Sequence, residues 1–571
     1  MKGALIDTNQ SKSFKQSNKL VVMGAVMLAM LLSALDQTIV ATAMPRIVAE
    51  LQGLSHLSWV FTAYMLASTI TVPIYGKLSD TYGRRGLYLG GIAIFLLGSV
   101  LSGFAGSMTQ LIIFRTLQGI GGGAMMVNSI AIIGDIFPPA ERGKWQGLIG
   151  GVFGLASIAG PLLGGWITDI ASWRWVFFIN IPLGILAMAV IARVLPKIKT
   201  ELSNRSIDYA GAASLALGLA PLLLALVWGG SEYAWTSVPI FGLMAFSILS
   251  LLTFILVEWR AKEPILPLSL FKNRTFIVSA IAIFLTGMGM FGAIIYIPLF
   301  AQGVIGFSST NAGLVLTPMM IGLIGASVAS GQIISRTGKY KILAVVGMVV
   351  ATLGIYLFSR MTPDTTHISL IFNMIITGIG LGLTMPIFNV AVQNAFDHSK
   401  LGVVSASTQL FRSIGGTVGV AVLGGLLNSR LANRLANIQN DPFLQGLQSV
   451  VPKDSLPPIN ANTLQSFLSP AGQAHIKELI SHAPSALQAQ LIPEMNNFFH
   501  SVQIAFSDSI GAVFLVGAIL MGIAAIVTIF LPQVALRKSN RPALQEASME
   551  LEMEFANIDS EHEPDLTDNG K

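Results

Sequence analysis

The chain has 571 residues, 53% hydrophobic and only 11% charged, where an average globular domain carries roughly 25% charged residues. Its mean hydropathy is +0.70, so a water-soluble fold would be coated in apolar patches and would aggregate; the composition calls for a bilayer as solvent. The formal net charge of +6 is no nucleic-acid signal, because the basic residues sit in short loops rather than on one face, and the absence of cysteine excludes disulfides, thiolate catalysis, Cys–zinc sites and thiol redox switching.

The polar N-terminus, residues 1–20, carries Lys2, Lys12, Lys15 and Lys19. The apolar run from Leu20 to Ala34 reads as a first transmembrane helix rather than a cleaved signal peptide. About 20 apolar residues cross the hydrocarbon core. On that ruler the spans fall at 21–43, 56–77, 87–106, 110–133, 145–168, 175–194, 209–228, 237–257, 276–299, 310–332, 341–359, 366–390, 403–426 and 506–531. The predicted fold class is therefore an all-α membrane protein of fourteen transmembrane helices.

Loop charges orient the spans. Lys77, Arg84, Arg85, Arg142, Lys144, Arg193, Lys197, Lys199, Arg205, Arg260, Lys262, Lys272, Arg274, Arg336, Lys339, Lys341, Lys400, Arg537, Lys538 and Arg541 fall in alternate loops, and the opposite loops hold few basic residues, such as Arg46, Arg174 and Arg360. This positive-inside bias places both termini in the cytoplasm. It tolerates an error of two spans but not of one. Two segments lie outside the membrane in this reading: a proline-punctuated polar stretch at 428–505 on the outer side, and an acidic tail at 542–571.

The chain repeats itself. LIIFRTLQGIGGG at 111–123 matches LIFNMIITGIGLG at 370–382, and GKLSDTYGRR at 76–85 matches GQIISRTGKY at 331–340. The offsets of 259 and 255 residues give two six-helix bundles separated by two extra helices. The resulting division is a cytoplasmic N-terminus (1–20), an N-terminal bundle (21–194), two inserted helices with linkers (195–275), a C-terminal bundle containing the outer loop (276–532) and a cytoplasmic tail (533–571). Two like bundles face to face are the architecture of alternating access, with a small-molecule substrate held between them.

Intramembrane charge then singles out residues. Asp36 lies about fifteen residues, roughly 22 Å, from the cytoplasmic end of the first span, and Arg115 reaches a similar depth in the fourth. A carboxylate whose proton affinity depends on burial and a nearby cation is what proton coupling requires; a static ion pair holding two helices is the plainer alternative. In the repeat Arg115 faces Met374 and Asp80 faces Ser335, so ion coupling is expected mainly in the N-terminal bundle.

Gly76, Asp80, Gly83, Arg84 and Arg85 form a tight cytoplasmic turn, readable as an ion-pair latch or as a purely topological anchor. Gly147, Gly150, Gly154, Gly160, Gly164 and Gly165 line one region of the fifth span, with Pro161 among them, as a packing or rocking face. Gln37, Tyr64, Gln118, Asn128 and the buried cation Arg412 are candidate cavity residues. Trp59 fits an aromatic belt and Asp508 an interfacial cap. The seven histidines form no ligand cluster and there is no P-loop, so no metal, no cofactor and no enzymatic activity are expected.

These motifs resemble the major facilitator superfamily, and within it the fourteen-helix drug:proton antiporters of the EmrB/QacA type. The resemblance rests on Gly76 to Arg85, Arg115 to Gly119, Gly160-Pro161 with Gly164-Gly165, and Leu35-Asp36-Gln37-Thr38 through Pro45. WVFTAYML (59–66), WRWVFFINIPLG (173–184) and PILPLSLFKNRTF (264–276) look like further signatures, and the match covers most of 20–532. It implies proton-driven export of amphipathic, often cationic compounds from a bacterial cytoplasmic membrane by a monomer. It also implies protonation at Asp36, coupling through Arg115 and an antiporter role for the Gly160 motif. Residues 310–332 lack the acidic residue that some divalent-cation exporters of the family carry there. Other readings are a dedicated metabolite or lipid exporter, and a non-transporting membrane sensor.

Overall fold

A computed structural model describes residues 16–51, 56–195, 208–230, 232–305, 315–438, 441–444, 446, 470–481 and 485–536. The acidic tail, Lys197, Lys199, Arg205, Arg537, Lys538, Arg541 and most of 445–469 lie outside them. The regular structure of the described residues is helical, with no strand beyond a single Gly229–Tyr233 bridge. In hydrocarbon only a helix satisfies every backbone N–H and C=O within one segment.

The helices, in chain order, are α1 (Gln16–Leu51), α2 (Leu57–Tyr82), α3 (Arg84–Gly103), α4 (Met108–Ile136), α5 (Pro139–Ile170), α6 (Trp175–Phe178) and α7 (Asn180–Val194). There follow α8 (Tyr209–Trp228), α9 (Val238–Arg260), α10 (Arg274–Gly303), α11 (Thr317–Thr337), α12 (Tyr340–Ser359), α13 (His367–Ala395) and α14 (Leu401–Ile438). The last two are α15 (Pro470–Ser481) and α16 (Ser485–Ile529). With α6 and α7 forming one broken crossing, thirteen of the crossings are long and apolar enough to span a membrane. The remaining predicted span, α2, is long enough but diluted by Thr62, Tyr64, Ser68, Thr69 and Thr71.

Local chemistry fixes the helix ends. The side chains of Ser107, Asp208, Asn273 and Thr366 accept from free backbone N–H groups at the starts of α4, α8, α10 and α13. Gly83 (φ 88°) and Gly338 (φ 67°), at the same position of the two repeated motifs, both take positive φ where the chain leaves α2 and α11.

Separate cores lie under α1–α7 and under α10–α16. The pair α8–α9 packs on itself, and it joins the rest through Leu215, Leu219 and the 265–276 segment against α13 and α14. α9 is the most exposed crossing and presents Phe246, Leu249, Leu252, Leu256 and Trp259 outward, as a lipid-facing helix does.

One expectation needs correction. The stretch 428–505 is not simply a polar connector. α14 runs on to Ile438, α16 begins at Ser485, and Phe443, Ile476 and Ile480 are buried. Leu491, Met495, Phe498 and Val502 fall at helical spacing and are buried in the same core as α10–α14. The polar residues between them disguise this face in the sequence.

Candidate functional site: a buried ion cluster beside a central cavity

Asp36 on α1 and Arg115 on α4 are both fully buried, and Arg115 Nη1 donates to Asp36 Oδ2. Gln118, one helical turn from Arg115, accepts from the same Nη1 (2.8 Å) and donates to Asp36 Oδ1 (2.8 Å). Asn180 at the start of α7 donates to Asp36 Oδ1 (3.0 Å) and to Ser99 Oγ (2.9 Å), and Ser99 in turn donates to the Phe177 carbonyl (2.8 Å). The carboxylate thus accepts from three side chains.

The guanidinium stacks 4.5 Å from the centre of the Tyr64 ring and donates to the Val60 carbonyl (3.4 Å), while Tyr64 hydroxyl meets Ser33 Oγ at 3.1 Å. Arg115 Nη2 has no hydrogen-bond partner among the described residues. A buried ion pair is tolerable when most of its remaining polar atoms are met; apart from Arg115 Nη2, those of this pair are met by Gln118, Asn180 and the Val60 carbonyl. Removing either charge leaves the other stranded.

Asn180 and Ser99 are the members that sequence reasoning missed. Asn180 lies inside WRWVFFINIPLG, an isolated amide between apolar residues, which was the available signal. Glycines let the cluster assemble. A side chain at Gly98 would strike the backbone of Gln118, and one at Gly119 would strike the backbone of Tyr64.

Beside the cluster lies a cavity of about 300 Å³ between the α1–α5 and α10–α14 helices. Gln37, Thr38, Ser68, Gln146, Asn389, Gln409, Arg412 and Ser413 supply its polar wall. Met65, Met126, Met290, Met320 and Met385, with Phe153 and Phe291, supply an apolar and adaptable one. Of the proposed cavity residues, Gln37 and Arg412 line it. Tyr64, Gln118 and Asn128 are sealed behind the wall, the first two around Arg115 and Asn128 donating to the Ala124 carbonyl. Asp36 stands behind the wall as well, next in sequence to Gln37.

The turn after α2 bridges the two groups of helices. Asp80 accepts from the backbone N–H groups of Gly402 and Val403 (2.9 Å each) at the start of α14, where the helix dipole favours an anion. Arg84 pairs with Asp80 (2.5 Å) and with Asp135 (2.9 Å) and donates to Ser79 Oγ, while Arg85 donates to the Ala192 carbonyl. Gly76 packs on the backbone of Gly402, so a side chain at either would collide.

A matching contact lies across the pseudo-symmetry. Gly331 packs on the backbone of Gly143, and Ser335, the repeat partner of Asp80, accepts from Lys144 N–H (3.2 Å). Arg142 and Gln393 complete this face: Arg142 donates to the Gln393 carbonyl (3.3 Å), and Gln393 Nε2 to that of Ile130 (3.3 Å).

The α5 glycines, predicted to line one region, divide between two. Gly147, Gly150 and Gly154 face Ser327, Ile324 and Met320 of α11, whereas Gly160 and Gly164 face Thr38 and Thr42 of α1. A side chain at Gly165 would meet nothing within 4 Å. The split follows the separation of the helix groups along α5. Trp59 stacks edge-on against Trp228 of α8 (5.3 Å), and Asp508 pairs with Arg434 (3.0 Å). Among the described residues no cluster of three metal-ligating side chains occurs.

The sequence profile of the Major Facilitator Superfamily matches residues 26–420. The chain is 42% identical over 539 residues to the multidrug transporter protein MdtP of Bacillus subtilis (strain 168), covering 93% of this chain and 96% of that one. It is also 42% identical over 438 residues to multidrug resistance protein 3 of the same organism, covering 77% and 84%. In fold it is similar to the human organic anion transporter MFSD10 (TM-score 0.55, 15% identity, 88% of this chain and 99% of that one). It is likewise similar to the proton:xylose symporter XylE (TM-score 0.53, 14% identity, 93% and 99%).

Proposed function

The chain belongs to the Major Facilitator Superfamily, and we propose that it is a proton-coupled exporter of amphipathic small molecules that works by alternating access. Its Bacillus subtilis relatives, both named as multidrug proteins, support the substrate class. The observation that carries the mechanism is the placement of Asp36: buried, bound to Arg115, and one residue from Gln37 in the cavity wall.

Protonation of Asp36 discharges the pair. Arg115 then keeps Gln118, the Val60 carbonyl and the Tyr64 ring, and α1 loses its charged tie to α4. α1 packs on α5 through Thr38 and Thr42 against Gly160 and Gly164, so its shift is passed to the helix that also abuts α11. The glycine contacts at Gly76–Gly402 and Gly143–Gly331 are small enough to slide or part. With Asp80 on the α14 N-terminus they hold the basic-loop face shut, which corresponds to an outward-facing state. In this reading the two groups of six crossings are the rocking units, α8–α9 are an inserted pair, both termini are cytoplasmic, and the protein works as a monomer in a bacterial cytoplasmic membrane.

Asp36→Asn preserves the side chain's shape while removing its charge and its ability to take up a proton, and it exchanges one of the two acceptor oxygens for an amide donor. Everted vesicles carrying this variant should insert the protein at normal levels and show no dye transport driven by a pH gradient. Undiminished transport would overturn the coupling role of Asp36.

A further inference from the structure

Arg412 is the one ionisable side chain among the residues that line the central cavity. It lies eleven residues into the apolar crossing α14, roughly 16 Å from its start at 1.5 Å per residue. It makes no ion pair or hydrogen bond within the described residues, and its Nε is buried without an acceptor. Asp36 cannot serve it, since that carboxylate is fully buried and already accepts from Arg115, Gln118 and Asn180. Gln146, in the same lining, also has an amide Nε2 without an acceptor. The cavity therefore holds an unpaid surplus of donors and one positive charge, with no lining carboxylate. An unpaired cation at this depth is costly, and a ligand that brings an anionic acceptor removes the cost.

We propose that the cavity is an anion-selective drug site. It takes amphipathic acids whose carboxylate or sulfonate head pairs with Arg412 and whose apolar body lies against Met290, Phe291, Met320 and Met385. This rests on the export reading for the direction of transport but not for binding. It also sets the substrate class apart from the cationic compounds that the family resemblance suggests, because a lone guanidinium in a low-dielectric pocket repels a second cation.

The test uses the full chain, purified in detergent, and three probes that share a dansyl-labelled eleven-carbon tail. One ends in a carboxylate, one in a neutral carboxamide and one in a trimethylammonium group. Fluorescence anisotropy should show the carboxylate bound roughly tenfold or more tightly than the ammonium probe, since a hydrogen bond to a charged group is lost or gained. Arg412→Gln should remove the preference, and Arg412→Lys should retain part of it. The proposal is overturned if the wild type binds the ammonium probe as tightly as the carboxylate, if no probe binds, or if the preference survives in folded Arg412→Gln. The wild-type preference alone decides the matter should Arg412→Gln fail to fold. Binding in detergent needs no gradient, so failure here leaves the Asp36→Asn transport test intact, and loss of transport in that test leaves this preference standing.

Discussion

The helices α4 and α13 are repeat partners, and they differ in an instructive way. Gly119, Gly121 and Gly123 of α4 abut the backbones of Tyr64, Phe95 and Ser68; Gly378, Gly380 and Gly382 of α13 abut those of Met319, Ala351 and Leu323. Each glycine has a counterpart doing the same packing work. The charges have none. Arg115 with its carboxylate in α1 is replaced by Met374, buried in an apolar core. Packing is needed twice because two bundles must be built. In the proposed coupling scheme a charged pair is needed once, because one proton site can bias a movement that both bundles share. The second bundle carries its intramembrane cation elsewhere, on α14, where Arg412 lines the cavity without an ion-pair partner among the described residues.

Making the first bundle resemble the second should have the largest effect. Arg115→Met leaves Asp36 buried without its cation, at a cost of about 3–5 kcal/mol by analogy with broken buried pairs. Transport should vanish and thermal unfolding in detergent should drop by many degrees. Adding Asp36→Leu should restore much of the unfolding temperature but none of the transport; a silent thermal shift in Arg115→Met would show that the pair contributes nothing to the fold.

The glycines test the equal part of the comparison. Gly119→Val and Gly378→Val each force a side chain into a neighbouring backbone, for about 1–3 kcal/mol of overpacking. Both variants should lose folded yield to a similar degree, measured by gel-filtration peak area. A large inequality would break the symmetry argument.

The inner-face contacts should be less costly and unequal. Asp80→Asn weakens two charge-assisted bonds to the α14 N-terminus, whereas Ser335→Ala removes one neutral bond. Because the chain has no cysteine, a single Gln146→Cys reporter gives a clean readout. Maleimide labelling from the basic-loop side should rise several-fold with Asp80→Asn and little with Ser335→Ala.

The smallest effect lies within α5. Gly160→Ala pushes on Thr38 and should slow transport, while Gly165→Ala, which meets open space, should change stability by no more than about 0.5 kcal/mol and leave transport intact. Equal impairment by the two would argue that the motif acts through backbone flexibility rather than contact with α1.

The crossings were legible in the sequence, because hydropathy over a 20-residue window is a local property that the bilayer reads directly. The repeat was legible because the same glycines serve the same contacts. Asp36 and Arg115 stood out for the same reason, as charges where lipid tolerates few. Tertiary structure alone decided who meets whom. Asn180 completes the carboxylate's shell from 144 positions away, Asp80 caps a helix 322 positions away, and the α5 glycines divide between two neighbours. It also placed Tyr64, Gln118 and Asn128 behind the cavity wall and Arg412 in it, and it buried the helical face hidden in 485–505. None of these follows from one-dimensional periodicity, since two helices of identical hydropathy can present different faces to different partners. Only the packed arrangement of the crossings selects the face, and with it which polar atoms are paired and which wait for a ligand.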